Sequence, residues 1–96
     1  MKVDKLISLD ETVVQRNGNI TSDMGGEKVM LSITNGKYYN LGEIGGEIWG
    51  LIESPIQIRK IVDQLTDSYN VENSVCQEQV LVFLEQLFNE GLIEKR

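Results

Sequence analysis

The side chains able to do chemistry in this chain are few, and their spacing points to binding rather than catalysis. Cys76 is the single cysteine, and the 96 residues contain no histidine. A lone thiol excludes an internal disulfide and a cysteine metal cluster. The missing imidazole removes the commonest general base and the commonest metal ligand. Cys76 also falls on the apolar side of a helical stretch, where a thiol without an activating base packs as a small hydrophobe. Glu43 and Glu47 are four apart on another helical stretch, an arrangement usual for a solvated face. Gly42, Gly45 and Gly46 do not form a phosphate-cradling loop, since neither G-x-G-x-x-G nor G-K-[ST] occurs. No enzymatic activity, metal or cofactor is expected.

A binding surface is easier to find. Residues from about Glu72 to Glu90 read as a helix closed by Gly91 as its C-cap. At about 100° per residue, Cys76, Val80, Phe83, Leu84, Leu87 and Phe88 make one broad core-facing arc. Val75 and Val82 lie nearly opposite its centre. With Gln79 and Gln86 they form a second stripe at i, i+4, i+7 and i+11. Single exposed apolar residues are normal on protein surfaces. Two β-branched residues flanked by amides on a face that should be wet instead suggest a groove wall, with apolar patches for ligand side chains and amides to hydrogen-bond. Phe83 borders both stripes. Glu72 and Glu90 flank the second one, positioned to meet Lys or Arg on a ligand.

The opposite wall is expected from a hairpin. Val29, Leu31 and Ile33 alternate with Met30, Ser32 and Thr34, Asn35-Gly36 follows, and Lys37-Tyr38-Tyr39-Asn40-Leu41 resumes extended character. Asn-Gly between two such runs predicts a two-residue type I′ turn, placing Ile33 opposite Tyr38 and Ser32 opposite Tyr39. If Lys37 to Leu41 is a sheet edge, its unpaired N–H and C=O groups form a template for an incoming peptide strand. Lys37 would equally serve to protect a simple edge.

These walls need a scaffold. The first dozen residues read as a flexible arm or a short edge strand. Thr12 to Arg16 has β character and ends at the Asn17-Gly18 turn, and Asp23-Met24-Gly25-Gly26 reads as a loop. A helix begins near Glu43, with Ile44, Ile48, Leu51 and Ile52 on one stripe and Trp49 at its edge. Gly45, Gly46 and Gly50 weaken it by about 1 kcal/mol each relative to Ala, so Gly45-Gly46 is expected to pack closely against the hairpin. Ser54-Pro55 reads as the N-cap and first position of a second helix carrying Ile58, Ile61, Val62, Leu65 and Tyr69. Asn70-Val71 turns the chain into the third helix, and Leu92-Ile93-Glu94 adds a short final strand. The fold class is α+β, winged helix-turn-helix-like: a three-stranded antiparallel sheet followed by three helices, in one domain over residues 1–96.

Charge narrows the partner. Residues 1–41 hold five acids and five bases, whereas residues 42–96 hold ten acids and four bases. From Ile61 to Glu94 there are seven acids and neither Lys nor Arg. A DNA-reading helix approaches phosphates spaced about every 1.7 Å and needs cations. Nucleic acid and an anionic membrane surface are therefore disfavoured, and a cationic peptide is mildly favoured. No apolar run reaches signal-peptide or membrane-span length, so a cytoplasmic protein is expected.

The run Gly36-Lys37-Tyr38-Tyr39-Asn40-Leu41-Gly42-Glu43-Ile44-Gly45-Gly46-Glu47-Ile48-Trp49-Gly50-Leu51-Ile52 resembles the PqqD-like family. The amphipathic helix ending in Tyr69, then Phe83-Leu84, Leu87 and Gly91-Leu92-Ile93, follow in family order, so the resemblance covers roughly residues 27–94. It implies a leader-peptide recognition domain for ribosomally made, modified peptides, with the leader docking as an extra strand between the third strand and the third helix. Carried over by position, Lys37 to Leu41 would supply the backbone ladder. Val75, Gln79, Val82, Phe83 and Gln86 would line the helix wall. A domain of this size with nothing fused to it looks most like the leader-binding proteins of lasso-peptide pathways, which hand the precursor to a separate leader peptidase. The quinone-cofactor pathway, with a radical enzyme as partner, is the alternative. A winged-helix DNA-binding regulator is a more distant one.

Overall fold

A computed structural model describes residues 8–96. It contains three helices and two three-stranded antiparallel sheets, one more sheet than expected. Strands β1 (Thr12–Gln15), β2 (Asn19–Met24), β3 (Glu27–Ser32) and β4 (Lys37–Leu41) precede helix α1 (Gly42–Leu51). Then follow β5 (Ile56–Gln57), α2 (Ile58–Ser68), α3 (Asn73–Asn89) and β6 (Ile93–Lys95).

The first sheet is the meander β2-β3-β4, which leaves β4 at an edge. Strand β2 is additional to the elements expected, and Asp23-Met24 belong to it rather than to a loop. None of its residues is buried, so no apolar alternation marks it. Gly25 and Gly26, both at positive φ (64° and 91°), close the two-residue turn between Met24 and Glu27. The turn at Asn35-Gly36 is looser. Ser32 pairs with Lys37, Leu31 with Tyr38 and Met30 with Tyr39, so Ile33 to Gly36 form the loop and the expected two-residue register is wrong. Three bonds hold this geometry: Gly36 N–H to the Ser32 carbonyl at 2.8 Å, Asn35 N–H to Ser32 Oγ at 3.1 Å, and Ile33 N–H to the Gly18 carbonyl at 2.9 Å. The last draws Ile33 out of the ladder toward the Asn17-Gly18 turn. Met30 and Ser32 consequently face the core, and Leu31 and Tyr38 share the outer face.

The second sheet, β5-β1-β6, ties the chain ends together. Val13 and Val14 of its central strand are both buried. Residues 1–7 of the expected arm lie outside the described residues, but the segment after them is fixed. The carbonyls of Glu11 and Leu9 accept from Ile58 N–H (2.9 Å) and Arg59 N–H (3.0 Å), two of the donors α2 leaves unpaired at its start. That is why α2 begins at Ile58 and not at Ser54-Pro55: Ile56 pairs with Val13, and backbone carbonyls replace the serine cap.

Ile58, Ile61, Val62 and Leu65 of α2 and Cys76, Val80, Leu84 and Leu87 of α3 are buried against one another, as their periodicity predicts. Helix α3 ends in a Schellman motif. Leu92 N–H donates to the Leu87 carbonyl (2.9 Å), Gly91 N–H donates to the Phe88 carbonyl (3.0 Å), and Gly91 has φ 76°. Gly91 therefore reverses the chain and delivers Ile93 into β6.

Helix α1 bridges the sheet and α3. Ile48, Trp49 and Ile52 are buried, but Ile44 is 46% exposed and does not join their stripe. It sits in the first turn, which overhangs the core. The expected close approach of Gly45 and Gly46 is present in two directions. A Cβ on Gly46 would lie 2.7 Å from Cβ of Lys28 in β3, and one on Gly45 would lie 3.0 Å from the Phe83 ring of α3.

Candidate peptide-binding groove

The outer edge of β4 faces α3, and the sequence-predicted residues other than Lys37 and Glu72 line the depressions there. Strand alternation sends Lys37 and Tyr39 toward the helices, on the side of Ser32 and Met30, and Tyr38 outward. Tyr38 therefore contributes backbone to the groove but turns a 76% exposed ring to the outer sheet face.

Three depressions that share residues make up the cleft. Tyr38 to Leu41 of β4 and Phe83, Gln86, Leu87, Asn89 and Glu90 of the helical side line the first. Val75, Glu78, Gln79, Val82, Phe83 and Gln86 line a second, along the outer wall of α3. Val75 is 40% and Val82 50% exposed, so both stand clear of the core, as the wheel requires. The third is an apolar cavity of about 220 Å³ beside Phe83, bounded mainly by Leu41, Ile44, Leu65, Val71 and Val80. Phe83 lines all three. The apolar cavity is not visible in the sequence because it draws on α1, the turn after α2, and α3 at once. Periodicity puts Ile44 on the core stripe, and only its position in a glycine-rich first turn hints otherwise.

Of the two acidic residues expected to meet a ligand, Glu90 lines the first depression and Glu72 lines none. Glu90 is engaged within the protein: Tyr39 Oη donates to its Oε1 at 2.7 Å, and Lys37 Nζ stands 3.7 Å from the same oxygen. Asn35 Nδ2 donates to the Glu90 carbonyl at 2.8 Å and to Tyr39 Oη at 3.1 Å. This cluster closes one end of the groove and fixes the β3–β4 loop against the end of α3. Glu72 occupies the N-cap position at the far end of α3 and lines none of these depressions. Acidity instead borders the apolar cavity, where Tyr69 Oη donates to Glu47 Oε1 at 2.8 Å. That hydrogen bond to a carboxylate, with lesser contributions from burial and the charges of Glu47 and Glu43, pushes the Tyr69 phenol above its ordinary range. Tyr69 therefore remains the donor to Glu47 across the neutral range.

Cys76 lines the same cavity, and burial raises its thiol pKa. A thiol held protonated by its surroundings is a poor nucleophile, so it serves as part of the wall. Among the described residues, no group of three or more His, Cys, Asp or Glu side chains is placed to hold a metal, and no helix is long and apolar enough to cross a membrane.

What the arrangement offers is a β4 edge that no other strand among the described residues pairs, amides at Gln79 and Gln86, and apolar hollows along α3 beside it. The fold is similar to that of TbiB1 in complex with the TbiA(beta) leader peptide, at 27% identity and a TM-score of 0.76, covering 84% of this chain and 94% of that one. No curated protein matches the chain in sequence at a significant level. Residues 27–93, from the start of β3 into β6, match the family model described as coenzyme PQQ synthesis protein D, and the chain belongs to the PqqD family.

Proposed function

We propose that this protein binds the leader segment of a ribosomally synthesised, post-translationally modified peptide precursor, without catalysing a reaction itself. The observation that carries this reading is the edge of β4, unpaired among the described residues, lying across a cleft from the apolar and amide stripe of α3. The leader adds as a strand to β4, so that backbone hydrogen bonds fix its register. Alternate side chains then enter the hollows beside Phe83 and Val82 and set specificity. Likeness to a structure solved in complex with a leader peptide supports the leader as ligand.

The test is amide chemical-shift mapping during titration with the leader of the precursor encoded beside this chain. The expected result is shifts concentrated on Lys37–Leu41 and on Val75–Gln86. Shifts elsewhere would discard the groove, and no binding at millimolar peptide would discard the function.

The bound leader is presented to a separate processing enzyme, in our reading the leader peptidase of a lasso-peptide pathway. The family description favours a second reading, in which the partner is a radical enzyme of quinone-cofactor synthesis. A strand added at β4 continues the outer sheet face, where Ile20, Leu31 and Tyr38 form a cross-strand row. Ile20 is 55% exposed there. That face, extended by the leader's outward side chains, is open for the enzyme while the groove is filled. Ile20→Asp is expected to slow enzyme-dependent leader cleavage at least fivefold and to leave leader affinity within about twofold of wild type. An unchanged cleavage rate would place the enzyme elsewhere.

A further inference from the structure

Helix α1 carries glycine at positions 45 and 46, where Ala would stabilise an isolated helix by about 1 kcal/mol per residue. Gly46 is explained by the approach of β3. Gly45 meets something different. A Cβ there would lie 3.0 Å from both Cε1 and Cζ of Phe83, tighter than ordinary carbon–carbon contact, and 3.4 Å from Cβ of Leu41. The tip of the Phe83 ring rests on the bare backbone of Gly45.

Phe83 is the partition of the groove, since its ring borders the β4 depression, the outer wall of α3 and the apolar cavity. Leu41 and Ile44 flank Gly45 on the same cavity wall. We propose that Gly45 is a specificity-determining position: the missing side chain lets the Phe83 ring lean onto α1, and that seat sets which peptide side chain the apolar cavity admits. The inference rests on the peptide-binding reading and adds a positioning residue to it. A methyl group at 45 drives the ring tip away from α1. The ring is half-buried with an open groove on its other side, so it yields by swinging into the space the peptide occupies. Recognition changes while the core, built from other side chains, keeps its packing.

The experiment compares wild type, Gly45→Ala, Phe83→Leu, which removes the ring edge the new methyl group meets, and the two combined. Calorimetric titration uses the synthetic leader peptide and a set in which each apolar leader residue is replaced in turn by Ala. Gly45→Ala is expected to weaken the parent leader at least tenfold with little change in Tm. One Ala-substituted peptide, lacking the residue seated against Phe83, is expected to bind Gly45→Ala and wild type about equally. Phe83→Leu alone is expected to weaken binding, since Phe83 lines the groove, and adding Gly45→Ala to it is expected to cost less than about threefold further. Equal affinity of wild type and Gly45→Ala for the parent leader overturns the proposal, as does a Gly45→Ala loss of the same size in the Phe83→Leu background. Nuclear Overhauser contacts between the Phe83 ring and Gly45 Hα, read without peptide, separate the two levels of argument. If wild type binds no leader but Gly45→Ala still displaces the ring, the peptide-binding reading fails and the positioning contact stands. An undisplaced ring ends the proposal regardless of binding.

Discussion

Val82→Glu should weaken leader binding at least tenfold and leave the fold intact. Val82 is half-exposed on the α3 face away from the buried Val80, Leu84 and Leu87, so removing its methyl groups opens no cavity. Glutamate is at least as good a helix former as valine. Its repulsion from Glu78, one turn earlier, costs only a few tenths of a kcal/mol. Stability is therefore expected within about 0.5 kcal/mol of wild type, the usual range for surface substitutions. Binding is another matter. A valine that loses its water against a peptide strand contributes roughly 1–2 kcal/mol, and a carboxylate in its place must be desolvated as well. A tenfold change corresponds to only about 1.4 kcal/mol, so the expected loss is at or beyond that value. Calorimetric titration and a thermal melt of the same sample read both quantities. Unaltered affinity would remove Val82 from the groove, and a large fall in Tm would mean that the outer face of α3 is part of the core after all.

Elements whose signal is local are readable in the chain. The buried faces of α2 and α3 follow from periodicity, the C-terminus of α3 from Gly91, and the final strand from Ile93 beyond it. The α3 side of the groove is readable for the same reason, since Val75, Gln79, Val82 and Gln86 recur at helical spacing on the face opposite the core. What depends on partners distant in sequence is not readable. Strand β2 buries no residue and exists because β3 pairs with it. The β3–β4 register turns on a bond from Ile33 to Gly18, and the start of α2 on the carbonyls of Leu9 and Glu11. Glu90 reads as a ligand contact because its partners, Lys37 and Tyr39, sit on the other wall of the cleft, more than half the chain away. Even the hairpin signal at Asn35-Gly36 is right in place and wrong in turn type and register. The two-residue turn with both φ positive belongs to Gly25-Gly26, whereas at Asn35-Gly36 only the glycine has positive φ.

Gly46 and Gly50 of α1 offer the sharpest stability contrast, because the helix treats them alike and their surroundings do not. Each should stabilise α1 by about 0.4–1 kcal/mol when replaced by Ala, provided the methyl group has room. At Gly50 it has: nothing lies within 4 Å of where a Cβ would stand, and Gly50→Ala is expected to raise Tm by about 2–6 °C. At Gly46 the same methyl group lies 2.7 Å from Cβ of Lys28. That atom is fixed to the β3 backbone and cannot swing aside as the end of a side chain could, so α1 must lift from the sheet. Lifting it disturbs Ile48, Trp49 and Ile52, which are buried beneath the same helix. Overpacking of this kind costs about 1–3 kcal/mol, and the helix-propensity gain offsets only part of it. Gly46→Ala is therefore expected to lower Tm by about 5–10 °C, opposite in sign to Gly50→Ala for an identical chemical change. Thermal melts of the two variants decide the matter. If Gly46→Ala melts at or above the wild-type temperature, α1 slides on β3 at little cost, and the geometry that seats Phe83 beside it is softer than the packing indicates.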